Sequence, residues 1–286
     1  SDVRLMIRRY KRDVVVKVAD MFRSQAPKRE RDHFATRGDI SRFSFSSSRR
    51  LEFLVRNSPA AFTHFLTLTY PAEYPNDGRL VKKHLHAFLQ WPRRVNRCEK
   101  EPGHRWDIRY VWVLEFQERG APHIHLLVTD WPRWCNPFNG LPCSAEEAFA
   151  RGRRTLKPVS GARMLSRRWY RIVGSRDPRH LAAGTQLKPV QFQQGLSSYM
   201  GGYLKKSHQK QVPAGFSRVG RFWGSNVRLA SETMAAACRY AEAGKLVRPL
   251  RRWLAARYRA LGRRRWRWEG FGFTIREGTA LYDALF

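Results

Sequence analysis

The sequence predicts an α+β sandwich built on a mostly antiparallel sheet, and three observations lead there. Short runs rich in β-branched and aromatic residues, such as "FTHFLTLTY" (Phe62–Tyr70), read as half-buried strands. Stretches with apolar residues at helical spacing alternate with them. One pair of strands, Tyr110–Gln117 and His123–Thr129, is joined only by the turn-forming "ERGAP", which makes a hairpin. With 286 residues and 42% hydrophobic content, the chain has material for one substantial core and a second small one.

Taken in order, residues 1 to about 60 are basic and mixed, and "DVVVKVADMF" fits a strand or a short helix. "FSFSSSRR" reads as a polar connector. After the Phe62–Tyr70 strand, "PAEYPNDG" supplies turn chemistry. "RLVKKHLHAFLQWPRRV" then carries Leu80, Val81, His84, Leu85, Phe88 and Leu89 on one face, which predicts an amphipathic helix over the sheet. Beyond the hairpin, residues 131–183 read as irregular, with a helix possible at "SAEEAFARGRR" (144–154). "TQLKPVQF" fits a strand, "GLSSYMGGYLKKSHQK" a helix despite its glycines, and "RFWGSN" a short aromatic segment. After Ser231 the pattern is helical, and Lys245 to Trp268 holds ten basic residues and no acid.

Lys plus Arg number 55 and Asp plus Glu 23, a formal charge of 55 − 23 = +32. Such an excess favours salt-dependent attraction to a polyanion, nucleic acid first and an acidic membrane surface second. No apolar run approaches the roughly 20 residues that span a bilayer, and the first residues lack a secretory pattern. Cys98, Cys135, Cys143 and Cys238 form no CxxC pair, and "CNPFNGLPC" has the wrong spacing for zinc. They read as reduced cysteines of a cytosolic protein.

The hairpin poses the chemical question. Side chains alternate faces along a strand, so Glu115, Gln117, His123 and His125, all odd-numbered, share one face. Symmetric pairing about Gly120 puts Gln117 opposite His123 and Glu115 opposite His125. Two imidazoles and a carboxylate with open positions make a candidate site for a divalent ion such as Mg²⁺ or Mn²⁺, with Gln117 a possible fourth ligand. A lone HxH would read as solvated polar residues; the acid in matching register favours the metal. Leu114, Phe116, Ile124 and Leu126 then face the core.

On the helix after Ser197, Tyr199, Tyr203 and Lys206 share a face at i, i+4 and i+7. Read alone, they are better explained as two core aromatics and a solvated lysine. Beside a metal site they are the parts of a phosphoryl-transfer centre, with the phenol as nucleophile and the lysine assisting phenolate or phosphate.

With these motifs in order, the chain resembles a HUH endonuclease, specifically the two-tyrosine rolling-circle replication initiators (Reps) of small phages and plasmids. "FLTLTYP" (Phe65–Pro71) resembles their first motif, "EFQERGAPHIH" (Glu115–His125) their metal motif, and "YMGGYLKK" (Tyr199–Lys206) their third. The resemblance spans about residues 62–210. It implies a HUH nuclease fold, about five antiparallel strands flanked by helices, over residues 61–228. A basic extension (1–60) would precede it and a basic, mainly helical region (229–286) would follow. It further implies ligation of a divalent metal by Glu115, His123 and His125, nicking of one DNA strand, and a 5′-phosphotyrosine beside a free 3′-hydroxyl. The implied partners are single-stranded or locally melted origin DNA and, since no Walker A motif occurs, a host helicase and replication machinery, all in a bacterial cytoplasm. Where such members carry YxxKYxxK, this chain has Gly202 in the first lysine slot, so only Tyr203 keeps its lysine, Lys206; Tyr203 is therefore the expected first nucleophile. Leu127 replaces the third histidine that a histidine-triad hydrolase needs, and conjugative relaxases place the tyrosine first. A rolling-circle-type transposase shares all three motifs, and a non-catalytic nucleic-acid-binding module remains the reading from another class. The Arg, Trp and Tyr interleaving of residues 248–268 suits phosphate contact and base stacking, or packing of an amphipathic helix.

Overall fold

A computed structural model of the chain describes residues 2–20, 40–92, 107–135, 142–143, 159–190, 211–239 and 272–275, plus single positions beyond 244. The expected helices at 144–154 and 195–210 lie outside these residues, and so do Tyr199, Tyr203 and Lys206. Two compact units divide the chain.

The larger unit comprises Gly38–Val55 and Ala60–Val227. Its sheet has five strands: β3 (His64–Thr69), β4 (Tyr110–Phe116), β5 (Pro122–Val128), β9 (Thr185–Pro189) and β10 (Trp223–Ser225). Their order is β10-β4-β5-β3-β9, and every pairing is antiparallel. The fold class expected from the sequence is the one observed. A second sheet of two-residue strands, β6 (Trp134–Cys135), β7 (Pro142–Cys143) and β8 (Val159–Ser160), sits beyond β5 in the chain.

The strands' period of two divides the sheet into two faces. On one face Leu66, Leu68, Leu114, Ile124 and Leu126 are fully buried. Helix α2 (Gly78–Leu89) lies on that side, with Val81, Leu85 and Phe88 buried and the Lys82 ammonium 4.6 Å from the centre of the Trp112 ring. Asp77 caps α2 by accepting from Arg79 N–H, as the Asn-Asp-Gly sequence suggests. Leu80, expected on the apolar face, is exposed. The other face carries Glu115, His123 and His125 above Val111, Val113, Phe65 and Leu127, all four of them buried.

Two helices run through segments that read as connector or irregular chain. Helix α1 (Phe45–Arg56) includes most of "FSFSSSRR": Ser44 accepts from Ser47 N–H, so this serine starts the helix as its cap, and Leu51 and Val55 supply the buried stripe. Helix α3 (Gly161–Val173) buries Leu165 and Trp169, starts at the capping Ser160 and ends on Gly174 at φ 70°. A short helix, α4 (Pro178–Ala183), follows, capped by Asp177.

The smaller unit joins Ser1–Arg37, Arg56–Pro59 and Arg228–Phe286. Its antiparallel sheet has the order β11-β1-β2-β12, from β1 (Asp2–Arg9), β2 (Val14–Asp20), β11 (Glu232–Arg239) and β12 (Gly272–Ile275). Residues after Ser231, expected to be helical, therefore begin as a strand. Alanine-rich β11 has helical propensity, but it pairs with β1 along all eight residues, and such pairing outweighs local preference. Helix does occur at Lys245, Val247, Arg248, Arg252 and Ala256. In the β1–β2 turn, buried Asp13 accepts from Arg56 and from Asn57 Nδ2, both at 2.9 Å, while Asn57 Oδ1 accepts from the Arg12 and Asp13 amides. No helix among the described residues is long and apolar enough to cross a membrane.

Candidate functional site

The site is built on the β4–β5 hairpin, and the turn sets its register. Gln117 N–H donates to Ala121 O at 2.9 Å and Gly120 N–H to Gln117 O at 2.8 Å, enclosing the three-residue loop 118–120. Gly120 has φ 81°, the left-handed position that such a loop requires and that glycine adopts without strain. The hairpin is thus centred on Arg119, not Gly120. Glu115 lies opposite His123 and Val113 opposite His125. This corrects the pairing expected from the sequence by two residues. Because the shift is even, every side chain keeps its face, so the acid and both histidines still emerge together.

Gln117 ends up at the hairpin tip beside Ala121, where its Oε1 accepts from Arg119 Nε at 3.0 Å. Arg119 also donates to Tyr70 O at 2.7 Å and Pro71 O at 2.8 Å, and its guanidinium lies over the Tyr74 ring. The Tyr74 hydroxyl donates back to Arg119 O. These contacts stitch the tip to the chain leaving β3 and hold the hairpin rigid where its polar residues emerge.

Glu115 and His125 are buried, and Oε2 of Glu115 lies 3.4 Å from Nε2 of His125. The His125 ring stacks on Phe65 at 5.2 Å, and the His123 ring stands edge-on to it at 4.5 Å. Strand β3 adds two hydroxyls in register: Thr67 Oγ1 is hydrogen-bonded to His125 Nδ1 at 3.2 Å and Thr69 Oγ1 to His123 Nδ1 at 3.3 Å. Oε1 of Glu115 is buried without a hydrogen-bond partner. Leaving a carboxylate oxygen so is costly unless a cation approaches it. Among the described residues, no group of three or more His, Cys, Asp or Glu is assembled to hold a metal ion as placed. The carboxylate and His125 meet, and His123 stands beside them.

Tyr70, next to Thr69, is the described phenol closest in sequence to this set. It is buried, its hydroxyl is hydrogen-bonded to His84 Nδ1 at 3.1 Å, and burial pushes its phenol far above the ordinary tyrosine range. It is a core residue that stays protonated, not a nucleophile. Burial, with Lys83 nearby, lowers the basicity of His84.

Thr67, Thr69 and Arg119 were missed as participants in the sequence reading. The signal was present: "FLTLTY" places two hydroxyls at alternate positions of a strand, the parity needed to face an adjacent HxH.

A family model, that of the ORF2-type replication-associated proteins, matches residues 63–245. That span is 245 − 63 + 1 = 183 of 286 residues and includes the hairpin and the third-motif tyrosines. The chain belongs to this family. No curated protein and no solved structure matches it. In this replication-associated protein, then, the matched span begins at Thr63, whose carbonyl accepts from Val190 N–H at the end of β9. The segment holding Tyr199, Tyr203 and Lys206 re-emerges at Gln211, which with Phe116, Gln117, Glu118 and Gly120 lines a cavity of about 330 Å³ against the hairpin tip.

Proposed function

We propose that this protein is a replication initiator that nicks one DNA strand at an origin by metal-assisted tyrosine transesterification and later rejoins it. The observation that carries the proposal is the buried Glu115 carboxylate, paired with His125, in register with His123 and with one oxygen unpartnered. Two imidazoles and a carboxylate suit Mg²⁺ or Mn²⁺. Glu115, His125 and His123 would hold the ion, with His123 drawn toward the pair. When bound, the ion polarises the scissile phosphodiester and offsets its developing charge.

The chain's own residues do the rest. The Tyr203 oxygen attacks phosphorus, the bond from phosphorus to the 3′ oxygen breaks, and the phenol proton leaves to solvent while the 3′ oxygen takes one up. The products are a 5′-phosphotyrosine and a free 3′-hydroxyl. One phosphodiester is exchanged for another, so no external energy source is needed and the step can run backwards to reseal the strand. Lys206 would stabilise the Tyr203 phenolate or the phosphate charge, and Tyr199 would supply the second transfer. Single-stranded or locally melted origin DNA is the substrate, a host helicase would open the duplex, and the 3′-hydroxyl would prime the host machinery. The charge of +32 supports a polyanionic partner.

The test is incubation with single-stranded DNA of its own replicon and Mn²⁺ or Mg²⁺. An SDS-resistant protein–DNA adduct is expected. Tight binding with no adduct would make the protein a non-catalytic module, and double-strand integration products would make it a transposase.

A further inference from the structure

We propose that Thr69, held at its carbonyl by Trp169 and His180, is the positioning residue that sets the His123 ring for ligation. The inference rests on the metal reading above and deepens it.

His125 displays the complete arrangement. Its Nδ1 is hydrogen-bonded to Thr67 and its Nε2 faces Glu115. An imidazole that ligates through one nitrogen is oriented by what the other nitrogen meets. A threonine oxygen accepting from Nδ1–H leaves Nε2 as the ligating atom. Thr69 stands to His123 as Thr67 stands to His125, one register step along the same strand pair.

The two threonines differ in what fixes them. Thr67 lies inside β3, between β5 and β9. Thr69 is the last residue of β3, a position where strands fray. There the fold supplies three hydrogen bonds from outside the sheet. Trp169 Nε1–H donates to Thr69 O at 2.7 Å, the His180 Nε2 position is 2.8 Å from the same oxygen, and Thr69 N–H donates to Gly184 O at 2.8 Å. Helices α3 and α4 and the turn after them thus converge on one residue.

This convergence has a cost. A carbonyl can only accept, so His180 must carry its proton on Nε2, and its buried Nδ1 is left without a partner. Gly184 packs so closely on the His180 ring that a Cβ there would collide with it. An unsatisfied nitrogen and an obligatory glycine are accepted to hold the end of a strand. Nothing in the packing of Thr69 calls for that, whereas orienting the imidazole opposite Glu115 does.

Two measurements on the full chain test it. Long-range ¹H–¹⁵N NMR of imidazole-labelled protein without metal, with His123 assigned through His123→Asn, reads the tautomer directly. Titration of Mn²⁺ followed by EPR of the free ion reads affinity. The wild type and Thr69→Ser should show His123 protonated at Nδ1. Thr69→Val, which keeps shape and loses the hydroxyl, should lose that preference and bind Mn²⁺ roughly 10-fold more weakly. His180→Gln should retain more Mn²⁺ affinity than His180→Ala, because an amide can still donate to the carbonyl. Should Thr69→Val leave tautomer and affinity unchanged, or should Thr69→Ser fall as far as Thr69→Val, the proposal is overturned while the metal reading stands. If wild-type binding of Mn²⁺ is insensitive to His125→Ala, the metal reading fails instead, and the tautomer still decides whether Thr69 holds His123.

Discussion

Lys82 offers the most quantitative test of the fold around the site. Its ammonium is buried in the α2–sheet interface over the Trp112 face, with no hydrogen-bond acceptor. Burial lowers its pKa from 10.5 to about 7. That drop corresponds to a ceiling of about 5 kcal/mol, at roughly 1.36 kcal/mol for each tenfold change in proton affinity. A realised effect of a few kcal/mol is expected, because the long stem can let the amine out toward water. The folded pKa lies below the unfolded one, so between about pH 7 and 10.5 the unfolded chain holds a proton that the folded chain lacks. The contribution of Lys82 to stability therefore rises with pH through that window, and its penalty is fully present below it. Lys82→Met keeps the stem volume and removes the titration. Urea unfolding of both proteins at several pH values from about 6 to 10, followed by tryptophan fluorescence, isolates this residue, because all other groups cancel in the difference. The variant should be more stable at low pH, with its advantage shrinking as pH rises. A difference that stays constant across the range would refute the reasoning and mean that the amine reaches solvent in the folded protein.

Chelation with EDTA should abolish nicking, and Glu115→Gln and His125→Ala should each lose strand cleavage while retaining DNA affinity in filter binding; full nicking by His125→Ala in chelator would sink the metal assignment. Tyr203→Phe should lose the first covalent adduct, whereas Tyr199→Phe should keep the adduct on denaturing gels but fail to release closed circles; loss of the initial adduct in Tyr199→Phe alone would reverse that order. Arg248 and Arg252 are exposed helical residues, and replacing both by Gln should flatten the slope of log K against log salt by about 1.5 if each meets a phosphate. Substitution is the better probe here, since truncation before Lys245 would also remove β12, which pairs with β2. Gly120→Ala should destabilise the hairpin by about 1 kcal/mol, because φ 81° disfavours any side chain, and the loss should appear in thermal unfolding.

Strand parity made the polar face legible from sequence. Glu115, His123 and His125 share it for any loop length, provided the register shifts by an even step. The exact partners were not legible, because "ERGAP" does not say which residue will take the left-handed position. Serine at 44 and at 160 disguised two helix starts as loop, although each is a cap whose meaning depends on the apolar stripe behind it. Alanine-rich β11 could not be read at all, since its state is decided by β1, at the opposite end of the sequence. The clamp on Thr69 was hidden for the same reason: Trp169 lies 100 residues away and His180 lies 111 away.

The interleaving of β1 and β2 with β11 and β12 has a consequence during synthesis. The four-stranded sheet takes strands from both sides of the five-stranded unit, so the ribosome delivers its first hairpin long before its flanking partners. Residues 60–227 can collapse around their own core as they emerge, while β1 and β2 wait with both outer edges unpaired until residue 275 is out of the exit tunnel. Nascent chains stalled before Glu232 should therefore show a protease-resistant core from the larger unit together with a protease-sensitive beginning, and they should engage chaperones through those two waiting strands. Assembly of the first-made residues is in this sense the last event of folding.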